Sequence, residues 1–138
     1  MIVFSLGASR YAIELRWVRE VVTLGFVTAV PTAPPVLGGV CNLHGAILPV
    51  LDVGALLGEL AGPPPRQGDG ALVIDVEGLV CALRVDQIDH VASLHESSAT
   101  GDPNVVDAGG RSLVLLDPAK LARRALELVG VAAERPIA

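Results

Sequence analysis

The sequence predicts a mostly β protein made of two half-length units with the same element order: three strands, a loop, a fourth strand and a capped helix. Three observations carry the prediction. Residues 45–58, GAILPVLDVGALLG, recur without a gap at residues 110–123, GRSLVLLDPAKLAR, which aligns Gly45 with Gly110, Leu48 with Leu113, Leu51 with Leu116, Asp52 with Asp117 and Leu56 with Leu121. Residues 2–24 slide onto residues 72–94 with Val3 on Val73, Ile13 on Leu83, Val18 on Ile88, Val21 on Val91 and Leu24 on Leu94, so apolar positions stay in phase where identity is low. The chain carries 15 glycines and 10 prolines, which cut it into short extended segments.

Residues 2–6 form the first strand, closed by a turn at Gly7 to Ser9. Tyr11, Ile13 and Leu15 then alternate with Ala12, Glu14 and Arg16, the period-two pattern of a strand with one face in a core. Residues 18–22 give a third strand. Residues 26–35 are a proline-rich connection, because Pro31, Pro34 and Pro35 lack the amide that an interior strand must donate. Residues 36–43 and 46–50 pair around His44 and Gly45. Asp52 ends the second of these and caps a short helix reaching Leu60, its carboxylate accepting from the first free amides. Residues 62–70, GPPPRQGDG, read as the linker within a single domain of residues 1–138, between a first half-repeat over 1–61 and a second over 71–130. In the second half, strands at 72–76, 79–85 and 89–94 precede a loop to Gly110 and a strand at 112–116. Asp117 and Pro118 open the final helix in the favoured order. Leu121, Ala125, Leu128 and Val129 make its apolar stripe, and Gly130 is its expected stop, leaving residues 131–138 as a tail.

At 138 residues, 51% of them apolar, the chain can bury a core as one compact unit. Lys and Arg number 10 against 15 Asp and Glu, and the net charge of -5 argues against a nucleic-acid partner or an anionic membrane surface. Arg10, Glu14, Asn42, His44 and Asp52 interrupt every run long enough to span a bilayer, so no direct membrane insertion is expected. Met1 is followed at once by strand-forming Ile2, Val3 and Phe4 with no basic leader, which points to the cytoplasm. Cys41 and Cys81 are then expected as free, buried thiols.

Chemistry-bearing residues are sparse. Cys41, His44 and Asp52 supply a nucleophile, a base and an orienting acid by type. However, Cys41 falls in an apolar strand and Asp52 has a capping role that Asp117 duplicates, so no catalytic residue is assigned and the chain is read as no enzyme. Cys81, His90 and His95 are irregularly spaced without any Cys-x-x-Cys pair, so no metal and no other cofactor is expected. Gly38 and Gly39 lack the following Lys and Ser or Thr of a phosphate loop, and turn or close-packing roles explain them. Trp17 is assigned to a core or to an anchor between the units.

Taken as text, IVFSLGASRYAIELRWVREVV, VPTAPPVLGGVCNLHGAILPVLDVGALLG, LVIDVEGLVCALRVDQIDHVASL and SLVLLDPAKL resemble the CheW-like domain of bacterial chemotaxis coupling proteins over nearly the whole chain. The densest match is a hallmark of the form Gly-Val-x-Asn-Leu-Arg-Gly followed by an apolar strand, Pro and Asp. It stands here as Gly39-Val40-Cys41-Asn42-Leu43-His44-Gly45, then Pro49 and Asp52. The resemblance implies two small SH3-like five-stranded barrels packed side by side. It implies a non-enzymatic adaptor joining the cytoplasmic tip of chemoreceptors to the regulatory domain of a CheA-type histidine kinase. It further implies a receptor-facing surface carrying Val18, Glu20 and Val21 on the third strand, with Val36, Leu37, Gly39, Asn42 and His44 beside them, while the kinase would meet the barrel ends. Three departures stand out. The hallmark arginine, which in the family braces the acid aligned with Glu20, is His44, which reaches less far and lacks a permanent charge. The loop at 96–109 is short by one strand's worth of sequence, and the usual leader before the first strand is missing. Together they suggest a diverged member serving a dedicated pathway such as surface motility. Two alternatives stand beside it: a stand-alone regulatory module of receiver-linked or kinase-derived origin, and, in another class, a small-ligand-binding or hydrolytic double barrel.

Overall fold

The computed structural model describes residues 1–59, 62–91, 104–106 and 112–133. The strands are β1 (Ile2–Leu6), β2 (Ser9–Ile13), β3 (Val18–Thr23), β4 (Val27–Thr28), β5 (Leu37–Leu43), β6 (Ala46–Leu51), β7 (Gly70–Val76), β8 (Leu79–Val85), β9 (Gln87–Val91), β10 (Asn104–Val106) and β11 (Ser112–Leu115). A 3-10 turn at Leu15–Trp17 separates β2 from β3, and two helices, α1 (Val53–Leu56) and α2 (Pro118–Ala133), follow β6 and β11. The strands form a five-stranded sheet in the order β10-β11-β2-β1-β9 and a six-stranded sheet in the order β3-β7-β8-β6-β5-β4.

The sheets do not coincide with the sequence halves. The β1–β2 hairpin of the first half pairs with β9 on one side and β11 on the other, whereas β3 to β6 join β7 and β8. This exchange leaves neither edge of the first hairpin unpaired. Residues 62–70, expected at the junction of two barrels, instead connect α1 to β7 within the six-stranded sheet.

Both faces of the central strands are buried, which is why they read as almost unbroken apolar runs. Ile2 and Phe4 on β1, Tyr11 and Ile13 on β2, Leu72, Ile74 and Val76 on β7, and Cys81, Leu83 and Val85 on β8 enter one core between the sheets, joined by Leu121, Ala122 and Ala125 of α2. The alternate positions face inward within each sheet. Val3, Ala12 and Leu113 form a small cluster in the five-stranded sheet. In the six-stranded sheet, Val22, Val27, Cys41, Leu48, Val50, Ala71, Val73, Val80 and Ala82 bring side chains from every strand into one cluster. In a flat sheet β3 and β6 would lie about three spacings of ~4.8 Å apart, yet Glu20 on β3 and His44 at the turn into β6 stand 3.2 Å from one another, so the sheet is rolled. Along β7 and β8 the smaller Ala71, Val73 and Ala82 face the inside of the roll while Leu72, Ile74 and Leu83 fill the core between the sheets. Among the described residues each sheet is hydrogen-bonded as a row with two edges, so the expected barrels are realised as two packed, rolled sheets of five and six strands.

Four local expectations change. Ala12, expected on a solvated face, is buried with Tyr11 and Ile13, while Leu15 leaves the strand pattern for the exposed 3-10 turn. Helix α1 stops at Leu56 instead of Leu60, because Gly58 takes a left-handed φ of 81° just beyond it. Helix α2 runs through Gly130 to Ala133, since a single glycine costs about 1 kcal/mol and the alanines after it favour continuation. The loop at 96–109 contains β10, which pairs antiparallel with β11 and completes the five-stranded sheet. The predicted strand at 89–94 corresponds to β9, and residues 92–94 lie outside the described residues. The two predicted caps form: Asp52 Oδ1 accepts from Ala55 N–H at 2.9 Å, and Asp117 Oδ1 from Ala119 and Lys120 N–H at 3.0 and 3.4 Å. Asp52 has a second task, because its Oδ2 accepts from Gly62 N–H at 2.9 Å and so ties residues 62–69 to the helix. In denaturant unfolding, Asp117→Ala should therefore cost about 1 kcal/mol and Asp52→Ala about 2 kcal/mol, having lost a cap and a loop tether together.

Candidate functional site

The β5–β6 hairpin turns on two residues, His44 at φ 51° and Gly45 at φ 85°, between the partnered Leu43 and Ala46. Positive φ at both positions is the two-residue turn that matches strand twist. Asn42 holds it, its Oδ1 accepting from Gly45 N–H at 3.1 Å. The β7–β8 hairpin repeats the device: Glu77 and Gly78 have φ of 52° and 89°, and Asp75 Oδ1 accepts from Gly78 N–H at 3.0 Å. The hallmark segment is thus first a means of projecting one side chain from a rigid tip, and that side chain is His44.

His44 Nε2 lies 3.2 Å from Glu20 Oε1 and 3.3 Å from Oε2. Glu20 is opposite Val73, and opposed residues in a sheet share a face, so Glu20 points to the inner side of the roll. The His44–Glu20 contact therefore bridges the free edge at β3 and the β5–β6 turn, which are far apart in sheet order. The His44 side chain is 73% exposed. Val21, on the other face of β3, is 52% exposed, and Ile47, opposite Asn42 on the outer face, is 65% exposed.

The remaining residues of the predicted receptor-facing surface separate by burial. Val18 and Leu37 are half-buried against the core between the sheets. Val36 is 2% exposed in that core and offers no surface to a partner, because the bend into β5 turns it inward. Gly39 is buried too. A Cβ there would stand 2.7 Å from Thr28 O and 2.8 Å from Val27 Cγ1, so its lack of a side chain is what lets β4 lie on β5. A Cβ on Gly38 would meet Pro65 Cδ at 2.7 Å, which gives this glycine the close-packing role expected of it. Sequence reading missed Ile47 and Phe26. Ile47 was legible in the alternation with buried Leu48, whereas Phe26, exposed beside β4, lay in a segment read only as a connection.

A family model described as the CheW-like domain matches residues 1–126. The chain belongs to the CheW-like family. It is 30% identical over 112 residues to the chemotaxis protein CheW of Rhizobium meliloti (strain 1021), covering 81% of this chain and 72% of that protein. It is 25% identical over 118 residues to the chemotaxis protein CheW of Treponema pallidum (strain Nichols), covering 83% and 69%. Among solved structures it is similar to the scaffolding protein TtCheW from Thermoanaerobacter tengcongensis, with a TM-score of 0.69 and 25% identity, covering 84% of this chain and 86% of that one.

In this CheW-like chain the residues that could act chemically are occupied or apart. Burial pushes the Cys41 thiol up within the inner cluster, and pushes Cys81, in the core between the sheets, up to about 11. Neither is a ready thiolate at neutral pH. His44 is held by Glu20, and Asp52 by Ala55 and Gly62, so Cys41, His44 and Asp52 are not drawn together. Among the described residues no group of three or more His, Cys, Asp and Glu is arranged around a common point for a metal. The side chain of His90 and the whole of His95 lie outside the described residues. No described helix is long and apolar enough to cross a membrane. Trp17 sits at the passage from β2 to β3, packed on the core between the sheets with the Arg16 guanidinium 4.9 Å over its ring.

A cleft of about 180 Å³ opens between the sheets, with Tyr11, Asp52, Arg84 and Asp86 in its walls. Arg84 dominates its electrostatics, its Nε donating to Asp69 Oδ2 at 3.0 Å and its Nη2 to Asp86 Oδ1 at 3.1 Å. Burial acts to raise the Asp69 carboxyl, but the Arg66 N–H and the Arg84 guanidinium outweigh it and hold the group below its usual range.

Two outcomes are expected. Gly39→Ala should destabilise by about 1–3 kcal/mol in denaturant unfolding, since the opposing Thr28 carbonyl is backbone and must shift. Because the folded chain favours ionised Asp69, its contribution is full above the unfolded value of about 4 and is lost as pH falls through the lowered folded value. Arg84→Met removes the guanidinium's share of that preference and leaves the Arg66 N–H in place, so the stability gap between wild type and variant should be widest near neutral pH and narrow as pH falls below about 4.

Proposed function

We propose that this chain is a non-enzymatic adaptor of chemotaxis signalling, acting in the cytoplasm to couple the tip of chemoreceptors to the regulatory domain of a CheA-type histidine kinase. The observation that carries the reading is the His44–Glu20 pair, set on a hairpin whose turn is fixed by Asn42 and flanked by exposed Val21 and Ile47. A rigid polar pair with apolar neighbours is the composition of a protein-binding surface. The relatives named as chemotaxis and scaffolding proteins support the same role. The buried, protonated thiols and the engaged Asp52 support binding over turnover.

In this reading Glu20, Val21, Asn42, His44 and Ile47 face the receptor, while Val36 and Gly39 shape the strand behind them. Isothermal titration against a receptor hairpin fragment tests it. His44→Ala and Ile47→Ala should each weaken binding roughly tenfold, about 1.4 kcal/mol. His44→Arg, which restores the longer and permanently charged side chain of the family pattern, should bind at least as well as wild type. Wild-type affinity in both alanine variants would remove this surface from the receptor contact.

A further inference from the structure

Among the described residues the chain passes between the two sheets at the turn before β3 and at Asp86, the single residue between the end of β8 at Val85 and the start of β9 at Gln87. A one-residue passage between sheets is a pivot unless something fixes it. Asp86 is bonded to both sides. Its backbone N–H donates to Ser5 O at 2.9 Å and its Oδ2 accepts from Gly7 N–H at 2.6 Å, both on the β1–β2 side. Its Oδ1 accepts from Arg84 Nη2 on β8 at 3.1 Å.

Arg84 is in turn anchored. Its side chain is 12% exposed, and its Nε donates to Asp69 Oδ2, which also accepts from Arg66 N–H at 2.9 Å. Asp69 O accepts from Leu24 N–H at 2.7 Å, which ties this end of the relay to the segment after β3. A continuous line of hydrogen bonds, with a neutral backbone link at Leu24 and charged ones from Asp69 onward, thus runs from the β3 end of the rolled sheet, through β8, to the β1–β2 turn of the other sheet. The apolar core between the sheets resists their separation, but burial is non-directional and sets an angle poorly. Charged hydrogen bonds with fixed geometry supply the direction.

We propose that Asp86 is a locked hinge and Arg84 its positioning residue, which together fix the angle between the two sheets. An adaptor's work is to hold two partners in one geometry, so the lock would govern joint assembly more than the affinity for either partner alone. That consequence rests on the adaptor reading, whereas the hinge itself does not.

Backbone amide residual dipolar couplings test the hinge without any partner. In wild type, couplings from β1 and β2 and from β7 and β8 should fit one alignment tensor. In Asp86→Ala and in Arg84→Met the two sheets should require tensors of different magnitude, and the Gly7 amide should exchange roughly tenfold faster or more. Asp86 is exposed, so its replacement leaves the core intact. Asp86→Asn, which keeps a carbonyl acceptor, should recover part of the common order. A lowered Tm with both sheets still on one tensor would mean a contribution to stability alone and would overturn the hinge. With the sheets loosened, a receptor fragment and the kinase regulatory domain should each bind the variants as they bind wild type, while the complex of all three is lost. Split tensors with the three-way complex intact would overturn the link from angle to assembly. Failure of wild type to bind either partner would overturn the adaptor reading and leave the hinge to the couplings.

Discussion

In the hairpins β1–β2 and β7–β8, alternate side chains enter the core between the sheets and the intervening ones enter a core private to one sheet. This two-sided burial is the constraint from which the other features follow. Where a strand is buried on both faces it must be apolar over that length and must have a neighbour on each edge. For β1–β2 those neighbours are β9 and β11, so the chain has to return from the six-stranded sheet to supply them. The private clusters are small, which selects Ala71, Ala82, Val73 and Ala12 there, while Phe4, Tyr11, Leu72 and Leu83 fill the larger common space. Rolling of the six-stranded sheet around its inner cluster then brings its first strand within reach of the β5–β6 turn.

That approach turns a folding requirement into a surface. Glu20 faces the inside of the roll, yet at its open end, where a carboxylate would otherwise meet only solvent and the margin of an apolar cluster. His44 closes that opening from a turn that Asn42 has already made rigid. The polar pair thus closes the roll and presents a fixed group at the same place, and the hallmark segment serves both. Exposed polar contacts of this kind contribute little stability, so the precision of the placement comes from the backbone turn and the sheet, not from the pair.

The polar line through Arg84 does for the whole molecule what Asn42 does for one hairpin. Each apolar core holds its elements together without specifying their angle, and each is accompanied by a short series of directional bonds to backbone amides: Asn42 to Gly45, Asp75 to Gly78, Asp52 to Ala55 and Gly62, Asp86 to Gly7. Three of these four acceptor residues are aspartates, so part of the chain's acidity is spent on backbone geometry. The excess of negative charge read from composition as a statement about partners is in part a statement about turns.

Much was legible in sequence because it depends on neighbours along the chain. Strand positions followed from apolar runs and turn residues, the caps at Asp52 and Asp117 from residue type and position, and the His44–Gly45 turn from its flanking strands. The family resemblance placed Glu20 and His44 together, since it aligns Glu20 with the acid that the hallmark arginine braces. What sequence could not specify is whatever depends on elements distant in the chain. Nothing local marks Val36 or Gly39 as covered, because the covering atoms belong to the core and to Thr28. Nor does the two-copy pattern say which sheet each strand enters, because period and polarity are the same whether a hairpin pairs within its own half or with the other. The extent of α2 past Gly130 and the place of β10 at a sheet edge are settled likewise by the wider context. Local chemistry determined the elements and the turns of this protein; the exchange of strands, the close packing of Pro65 and Thr28 against Gly38 and Gly39 and the bridge across the two sheets were decided by tertiary structure, where atoms from opposite ends of the chain compete for the same space.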